Sequence, residues 1–392
     1  MSLHIVNGTL IDGIGAARPN PGLLLKDGII AACGPDAAGA ETLDAAGLTI
    51  MPGLINMHDH LALRDTLGFP LGATQGKQTR FTINAVRNAL TALQRGWTTI
   101  REMTAPGSLA LEMRELIRTG EIPGPRVVSC GTALSVTGGH AHVFCVEVDG
   151  VDAVRRAARE QLKAGADFIK VMASHDPVSV GSGQHTQPEM RAEEIRAAFE
   201  EAQVRGKRTA CHVMGTVAID RVLDAGVDVI SHGYYLTPEQ AARMREQGVF
   251  LDPTLSSYGI HTLSSKLDRG QHWIDSHRVL LEPMEAAFRN AVAAGVRIVQ
   301  GTDTAGQYLD DIRMMRAFGL DAMESLRACT ANAADALGLG DRIGTIETGK
   351  DADIVILDGD PLRDVDALGR VRWVVQGGNA MRPQDITLRS KV

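Results

Sequence analysis

An excess of basic side chains is missing from this 392-residue chain. Its 40 lysines and arginines are outnumbered by 47 aspartates and glutamates, for a net charge of −7, so there is no electrostatic footprint for nucleic acid. A long apolar run is missing too. No stretch approaches the span of a bilayer, and the start, "MSLHIVNGTL", lacks a basic segment followed by an apolar one. We therefore expect neither a signal peptide nor a membrane partner. Cysteines are few: Cys33, Cys130, Cys145, Cys211 and Cys329 are scattered and odd in number, which argues for reduced thiols in a cytoplasmic enzyme rather than a disulfide framework. Without secretion, the "NGT" at Asn7 reads as a turn and not as a glycosylation acceptor. Hydrophobic residues at 44% and charged residues at 22% are ordinary for a soluble globular protein.

One pattern recurs between residues 84 and 304. A stretch of helical periodicity ends in glycine, and a short β-branched strand follows at once. Examples are "ALQRGWTTIREM", "QLKAGADFIKVM", "VLDAGVDVISHG" and "AVAAGVRIVQGTD". The glycines suit the left-handed residue that closes a helix. Helix starts are visible as well: in "LTPEQAARM", Thr237 is a candidate N-cap, Pro238 the first helical residue and Gln240 the capping-box partner. Strands alternating with helices predict a parallel sheet. Eight are expected, at 53–59, 97–103, 126–131, 167–173, 208–213, 227–232, 249–254 and 297–302. A doubly wound sheet is the alternative, but no glycine-rich phosphate fingerprint follows the first strand. Eight strands with polar residues at many of their ends fit an α/β fold of the (β/α)8 TIM-barrel type over residues 52–344. Residues 1–51 and 345–392 differ: they are short strands with NG, DG and GG turn signals, read as one small β domain built from both termini.

Titratable residues gather at the predicted strand ends, where barrel chemistry resides. In "TIMPGLINMHDH", the alternation of a strand sends His58 and His60 to one face and Asp59 to the other. "DFIKVMAS" carries Lys170 among apolar neighbours, "TACHV" ends near His212, "VISHG" holds His232 and "IVQGTDT" holds Asp303. Singly, each has a structural explanation as a core histidine, a capping aspartate or a snorkelling lysine. Together on one rim they point to a metal site.

"PGLINMHDHL", "DFIKVMAS", "VISHG", "GTD" and "SLRACTANAADALGL…IGTIETGKDADIVILDGDPL" are similar to motifs of the amidohydrolase superfamily of metal-dependent hydrolases. The resemblance covers nearly the whole chain. It is strongest to the branch of imidazolonepropionase-like proteins and bacterial Xaa-Pro dipeptidases. It implies a barrel beside a β-sandwich, a homo-oligomer and a binuclear centre. By position, His58, His60 and Asp303 would bind the more buried metal, His212 and His232 the second, and a carboxylated Lys170 would bridge both. The chemistry of the lysine is consistent: an ammonium repels dications, whereas a carbamate supplies an anion with two oxygens, and burial near cations favours the neutral amine that forms it. Zinc is the first choice for histidine and oxygen ligands, with manganese, iron or cobalt as alternatives. Two metals about 3.5–4 Å apart can activate a bridging hydroxide and polarise a carbonyl. Asp303 would then pass a proton from water to the leaving amine.

The resemblance also assigns His140, in "VTGGHAH", and Tyr234, in "HGYY", as donors to a developing oxyanion. The structural alternatives are a loop-stabilising histidine and a tyrosine packed on the rim. Two loops depart from the family: "GGHAHVF" and "ASHDPVSVGSGQHTQ" place His142, His175, Asp176 and His185 where relatives commonly have GGHG-Asp and Ser-Gly-Gly-Val. "HVMG" also lacks the acidic residue used by cyclic-amidine deaminases. The expected substrate is thus a small neutral or anionic amide, N-acyl, carbamate or urea compound. An Xaa-Pro dipeptide is the alternative, with a cyclic amide or a non-catalytic assembly role ranked below. The long segment after His60, with Gly68, Pro70, Gly72 and Gly76, is expected to form an active-site lid.

Overall fold

Seven helices each follow a strand or its loop, and their ends show why the chain turns where it does. The strands are β1 (Leu54–Asp59), β2 (Trp97–Glu102), β3 (Arg126–Ser129), β4 (Phe168–Met172), β5 (Arg208–Val213), β6 (Val229–His232) and β7 (Phe250–Asp252). The helices are α1 (Gln78–Gln94), α2 (Leu109–Arg118), α3 (Val151–Lys163), α4 (Ala192–Gln203), α5 (Thr216–Asp224), α6 (Pro238–Gln247) and α7 (Leu281–Ala294). At α6 the expected capping box is present: the Thr237 hydroxyl accepts from the Gln240 amide, Pro238 opens the helix, and Gly248 closes it at φ 72°. The computed structural model describes residues 2–35, 37, 39–64, 78–175, 187–259, 275 and 278–388.

All seven strands run parallel to their neighbours. β1 pairs with β2, β2 with β3, and β4 through β7 pair in succession. Between β3 and β4, the Asp167 amide donates to the Ser129 carbonyl at 2.7 Å. The expected eighth strand carries no continuous ladder. It makes one parallel bridge, Ile298 with Leu251, and then leans on β1: Met57 N–H donates to the Gln300 carbonyl at 2.8 Å, and Thr302 N–H to the His58 carbonyl at 3.0 Å. The run of main-chain hydrogen bonds thus returns to the strand at which it began. Gly301 sits at this junction because nothing larger fits: a Cβ there would lie 2.2 Å from Asp252 Oδ1 and 2.5 Å from His58 Cβ.

Several strands stop short of their expected ends, and left-handed backbone marks the bends. His232 (φ 71°), Thr254 (φ 46°) and Asp303 (φ 54°) all adopt it at or just past a strand end. Histidine and aspartate tolerate this region better than most residues, and a β-branched threonine does so at a cost. Interior-facing Ile55, Met57, Phe168, Ala210, Val229, Phe250 and Val299 form one apolar core inside the ring, and a separate layer packs between strands and helices.

Both chain ends are β-structure, as expected. One four-stranded sheet holds residues 2–6, 23–26, 29–33 and 41–44, and a six-stranded sheet runs through residues 379–381, 371–376, 354–357, 49–52, 9–10 and 18–19. The termini meet in the second sheet, where Thr49–Pro52 pairs antiparallel with Ile354–Leu357. Leu3, Ile5, Leu23 and Leu25 of one sheet share an apolar core with Ile50, Ile354, Ile356 and Val375 of the other. Gly96 allows this unit to approach the ring closely: its φ is 84°, and a Cβ would lie 2.8 Å from Val355. The proposed lid segment falls almost entirely on residues 65–77, outside the described residues, as do Asp176 and His185.

Candidate metal centre

β1 answers the question of its own sequence. Asp59 turns away from the two histidines and anchors the strand end: its carboxylate accepts from the His60 amide at 2.8 Å, Asn56 at 2.9 Å, Tyr308 at 2.9 Å and Arg64 at 3.0 Å. His58 and His60 face the same space, with ring centroids 5.3 Å apart. From His58 the rings continue to His232 at 5.3 Å, from His232 to His212 at 4.5 Å, and from His212 to His140, stacked at 3.9 Å.

Each of three imidazoles is held from behind. His58 Nδ1 lies 2.8 Å from Asp252 Oδ2, His60 Nδ1 lies 3.1 Å from the Thr104 carbonyl, and His232 Nδ1 lies 2.7 Å from Thr254 Oγ1. A ring whose Nδ1–H is donated presents Nε2 as a lone pair, the form a metal requires. His58 Nε2 is 3.5 Å from Lys170 Nζ, and His60 Nε2 is 3.4 Å from Asp303 Oδ1. Ligand atoms of His58, His60 and Asp303 all lie within 4.8 Å of one another, so these three could hold one ion. His212 and His232 stand beside that group without joining it at this separation. His212 Nε2 is nevertheless buried with no hydrogen-bond partner among the described residues. A buried lone pair or N–H left this way is costly unless something binds it.

The protonation states agree with a cation site. Burial, reinforced by Lys170, pushes the His60 imidazole down to about 3; burial and His58 do the same for His232, and His58 and His212 lie well below the ordinary range. For Asp303, burial alone would raise the carboxyl, but attraction to positive charge on His58, His60, His232 or Lys170 outweighs burial and lowers it. Burial lowers Lys170, favouring the neutral amine. Neutral imidazoles, an ionised carboxylate and an orphaned His212 nitrogen fit divalent metal ions.

Other expected residues are nearby but differently occupied. The Tyr234 hydroxyl lies 3.2 Å from the Thr254 carbonyl and 3.1 Å from its Oγ1, with the ring edge-on to His232. His140 donates its backbone amide to Glu189 at 2.8 Å. His142 is turned to the Gly139 carbonyl at 3.0 Å, and His175 Nδ1 lies 2.6 Å from Glu189. Sequence reasoning overlooked Asp252, the carboxylate behind His58, and Thr254, which touches both His232 and Tyr234. The strand-end aspartate in "FLDPTL" satisfied the same rule that selected Asp303.

Parallel strands with histidines and an aspartate converging at their ends define a candidate metal site. Residues 49–380 match the amidohydrolase family, and the chain belongs to it, as a hydrolase acting on C–N bonds. It is 30% identical over 406 residues to ochratoxinase from Aspergillus niger, covering 92% of this chain and 82% of that one. The crystal structure of A. niger ochratoxinase aligns with a TM-score of 0.88 at 27% identity, covering 100% of this chain and 99% of that one. A Xaa-Pro dipeptidase with methionine bound in its active site aligns at 0.89 and 26% identity, covering 97% and 100% respectively. A prolidase complexed with N-methylphosphonate-L-proline aligns at 0.89 and 28%, covering 97% and 99%. Among the described residues, no helix is long and apolar enough to cross a membrane.

Proposed function

We propose that this chain is a binuclear metal-dependent amidohydrolase that cleaves the C–N bond beside the carbonyl of a small amide, N-acyl, carbamate or urea compound. The observation that carries the reading is the shared aim of the imidazoles: His58, His60 and His232 commit Nδ1 to protein partners, and His212 leaves a buried Nε2 open. The architecture we propose for it is a (β/α)8 barrel over residues 52–344, with a β-sandwich made of residues 1–51 and 345–392.

In this reading His58, His60 and Asp303 hold one cation, and His212 and His232 a second, with zinc the first choice. Lys170 serves both. Its neutral amine adds to carbon dioxide: a C–N bond forms, one proton leaves to solvent, and the carbamate offers two oxygens that share one negative charge. When bound, the cations supply Lewis acidity to water and to the substrate carbonyl. Asp303 accepts the proton of the attacking water and returns it to the departing nitrogen. His140, stacked on His212, and Tyr234 donate to the carbonyl oxygen as its charge develops, Tyr234 after releasing Thr254.

Elemental analysis of reconstituted protein should approach two metals per chain. A value of one with full activity would remove Lys170 as a bridge. Lys170→Ala should be inactive, with acetate or propionate restoring some turnover, and a fully active Lys170→Arg would defeat the carbamate, since arginine stays protonated. Tyr234→Phe and His140→Asn should lose about 100- to 1,000-fold, mainly in kcat. A hydrolysis screen of the metal-loaded protein identifies the substrate class. The second reading, an Xaa-Pro dipeptidase, is favoured by the dipeptidase and prolidase alignments. Efficient turnover of Xaa-Pro dipeptides, with nothing better in the screen, would select it.

A further inference from the structure

At the other end of the ring from the histidines, where the strands begin, lies a cleft of about 920 Å³. Arg126, Phe168 and Arg208, the first residues of β3, β4 and β5, form part of its wall, and cations outnumber carboxylates among its lining side chains. Several of these cations are matched. Arg114 meets Asp167 at 2.6 Å, Arg126 meets Asp353 at 2.7 Å and Arg208 meets Asp228 at 2.8 Å. Arg101 is different. It stands on β2, is only 1% exposed, and none of its three guanidinium nitrogens has a hydrogen-bond partner among the described residues.

The Phe168 ring covers one face of that guanidinium at 4.0 Å, which leaves the N–H edge as its unsatisfied part. Burial lowers Arg101 only to about 10, so the group remains charged at neutral pH. A buried cation with five N–H donors and no hydrogen-bonded acceptor is costly, and the charges of Asp252 and Asp228 offset that cost only in part. An oxyanion relieves it: two of its oxygens match the planar fork, and the surplus positive charge of the wall favours it further.

We propose that the cleft at the strand-start end is a binding site for a small phosphate-type oxyanion, with Arg101 as its inner donor and Lys207 and Arg208 as its outer cations. The site shares no ligand candidate with the metal centre, although Arg101 also feels the charge of Asp252 behind His58.

The test is titration of metal-loaded protein with inorganic phosphate, followed by calorimetry, for the parent, Arg101→Met and Lys207→Glu. The parent should show a saturable component that Arg101→Met loses and that Lys207→Glu weakens about tenfold or more. Amide hydrolysis by Lys207→Glu, at the exposed rim, should be unchanged. Phosphate heats identical in all three proteins would be phosphate on the metals, and would overturn the proposal, as would the absence of saturable binding. If Arg101→Met does not fold, Arg208→Gln takes its place, with the same weakening required. Tighter binding of glycerol phosphate than of inorganic phosphate would sustain the site and assign it to the phosphate group of a larger ligand.

Discussion

His58 places Nδ1 2.8 Å from an Asp252 oxygen, and that contact decides which of its nitrogens faces the site. A carboxylate behind an imidazole fixes the tautomer and raises ligand basicity, and losing such a partner typically costs about 10- to 100-fold in metal affinity. Asp252→Ala should therefore weaken metal binding by roughly that factor, read by competition with a chromogenic chelator. An unchanged affinity would strike Asp252 from the account of the site. The ligand candidates themselves were legible because each lies in or just past a stretch with a strand's pattern. Their supports were not, for a physical reason: Asp252 lies 194 residues from His58, and Thr302, which accepts from Asn56, lies 246 residues away. Such pairs are brought together by ring closure, which no local pattern encodes. Tyr234 shows the converse. Its position was readable, but its engagement with Thr254 depends on a left-handed threonine on the neighbouring strand end.

Among the elements, the last segment of the ring departs furthest from expectation. Its alternation of apolar residues reads as a strand, yet Gly301 packs directly on Asp252 and His58, and the chain bends at Asp303 soon afterwards. Gly301→Ala drives a methyl group into two site residues, a form of overpacking that costs about 1–3 kcal/mol. The midpoint of urea unfolding should fall accordingly, and metal content should fall with it. Normal stability and full metal loading would show that the junction yields easily. The helix that follows, α8 (Tyr308–Ala317), carries a second test. Asp311 is buried, accepts from the Ser256 amide at 2.9 Å, and is raised by that burial from 3.8 to about 8. Between those values the unfolded chain releases a proton that the folded chain keeps, so stability falls as pH rises through the window. Asp311→Asn has no proton to keep. Its stability relative to the parent should rise by several kcal/mol between about pH 4 and pH 9, measured by urea unfolding at both. A constant difference would mean Asp311 ionises normally in the folded state. Helix caps, in contrast, were readable from sequence, because Thr237, Pro238, Gln240 and Gly248 act within one short stretch of chain.

For the molecule as a whole, the alternating pattern carried the parallel ring and the turn-rich ends carried the β-structure of both termini. How the two sheets interleave was not readable, since the pairing of Thr49–Pro52 with Ile354–Leu357 depends on where the finished ring delivers its two ends. The ring also explains how metal and stability should be linked. The candidate ligands come from β1, β4, β5, β6 and the last segment, so an ion held among them ties together elements distant in the chain. At a free metal concentration about 100 times the dissociation constant, binding adds about 2.7 kcal/mol. Chelation should thus abolish hydrolysis while lowering the thermal midpoint by roughly 3 °C, with zinc restoring both. A midpoint indifferent to chelation and zinc would argue against a cation among these side chains.

The sheet shared by the termini also sets a schedule for synthesis. Thr49–Pro52 leaves the ribosome early, but its antiparallel partner Ile354–Leu357 follows only after roughly 300 further residues. At about 5–20 residues per second, that strand edge waits on the order of fifteen seconds to a minute, open to pairing with another chain. Nascent chains arrested before Ile354 should therefore be cut by protease near residues 49–52, and the full chain tethered to the ribosome through an added linker should resist. Equal resistance in both would mean the opening strands find shelter before the closing ones arrive.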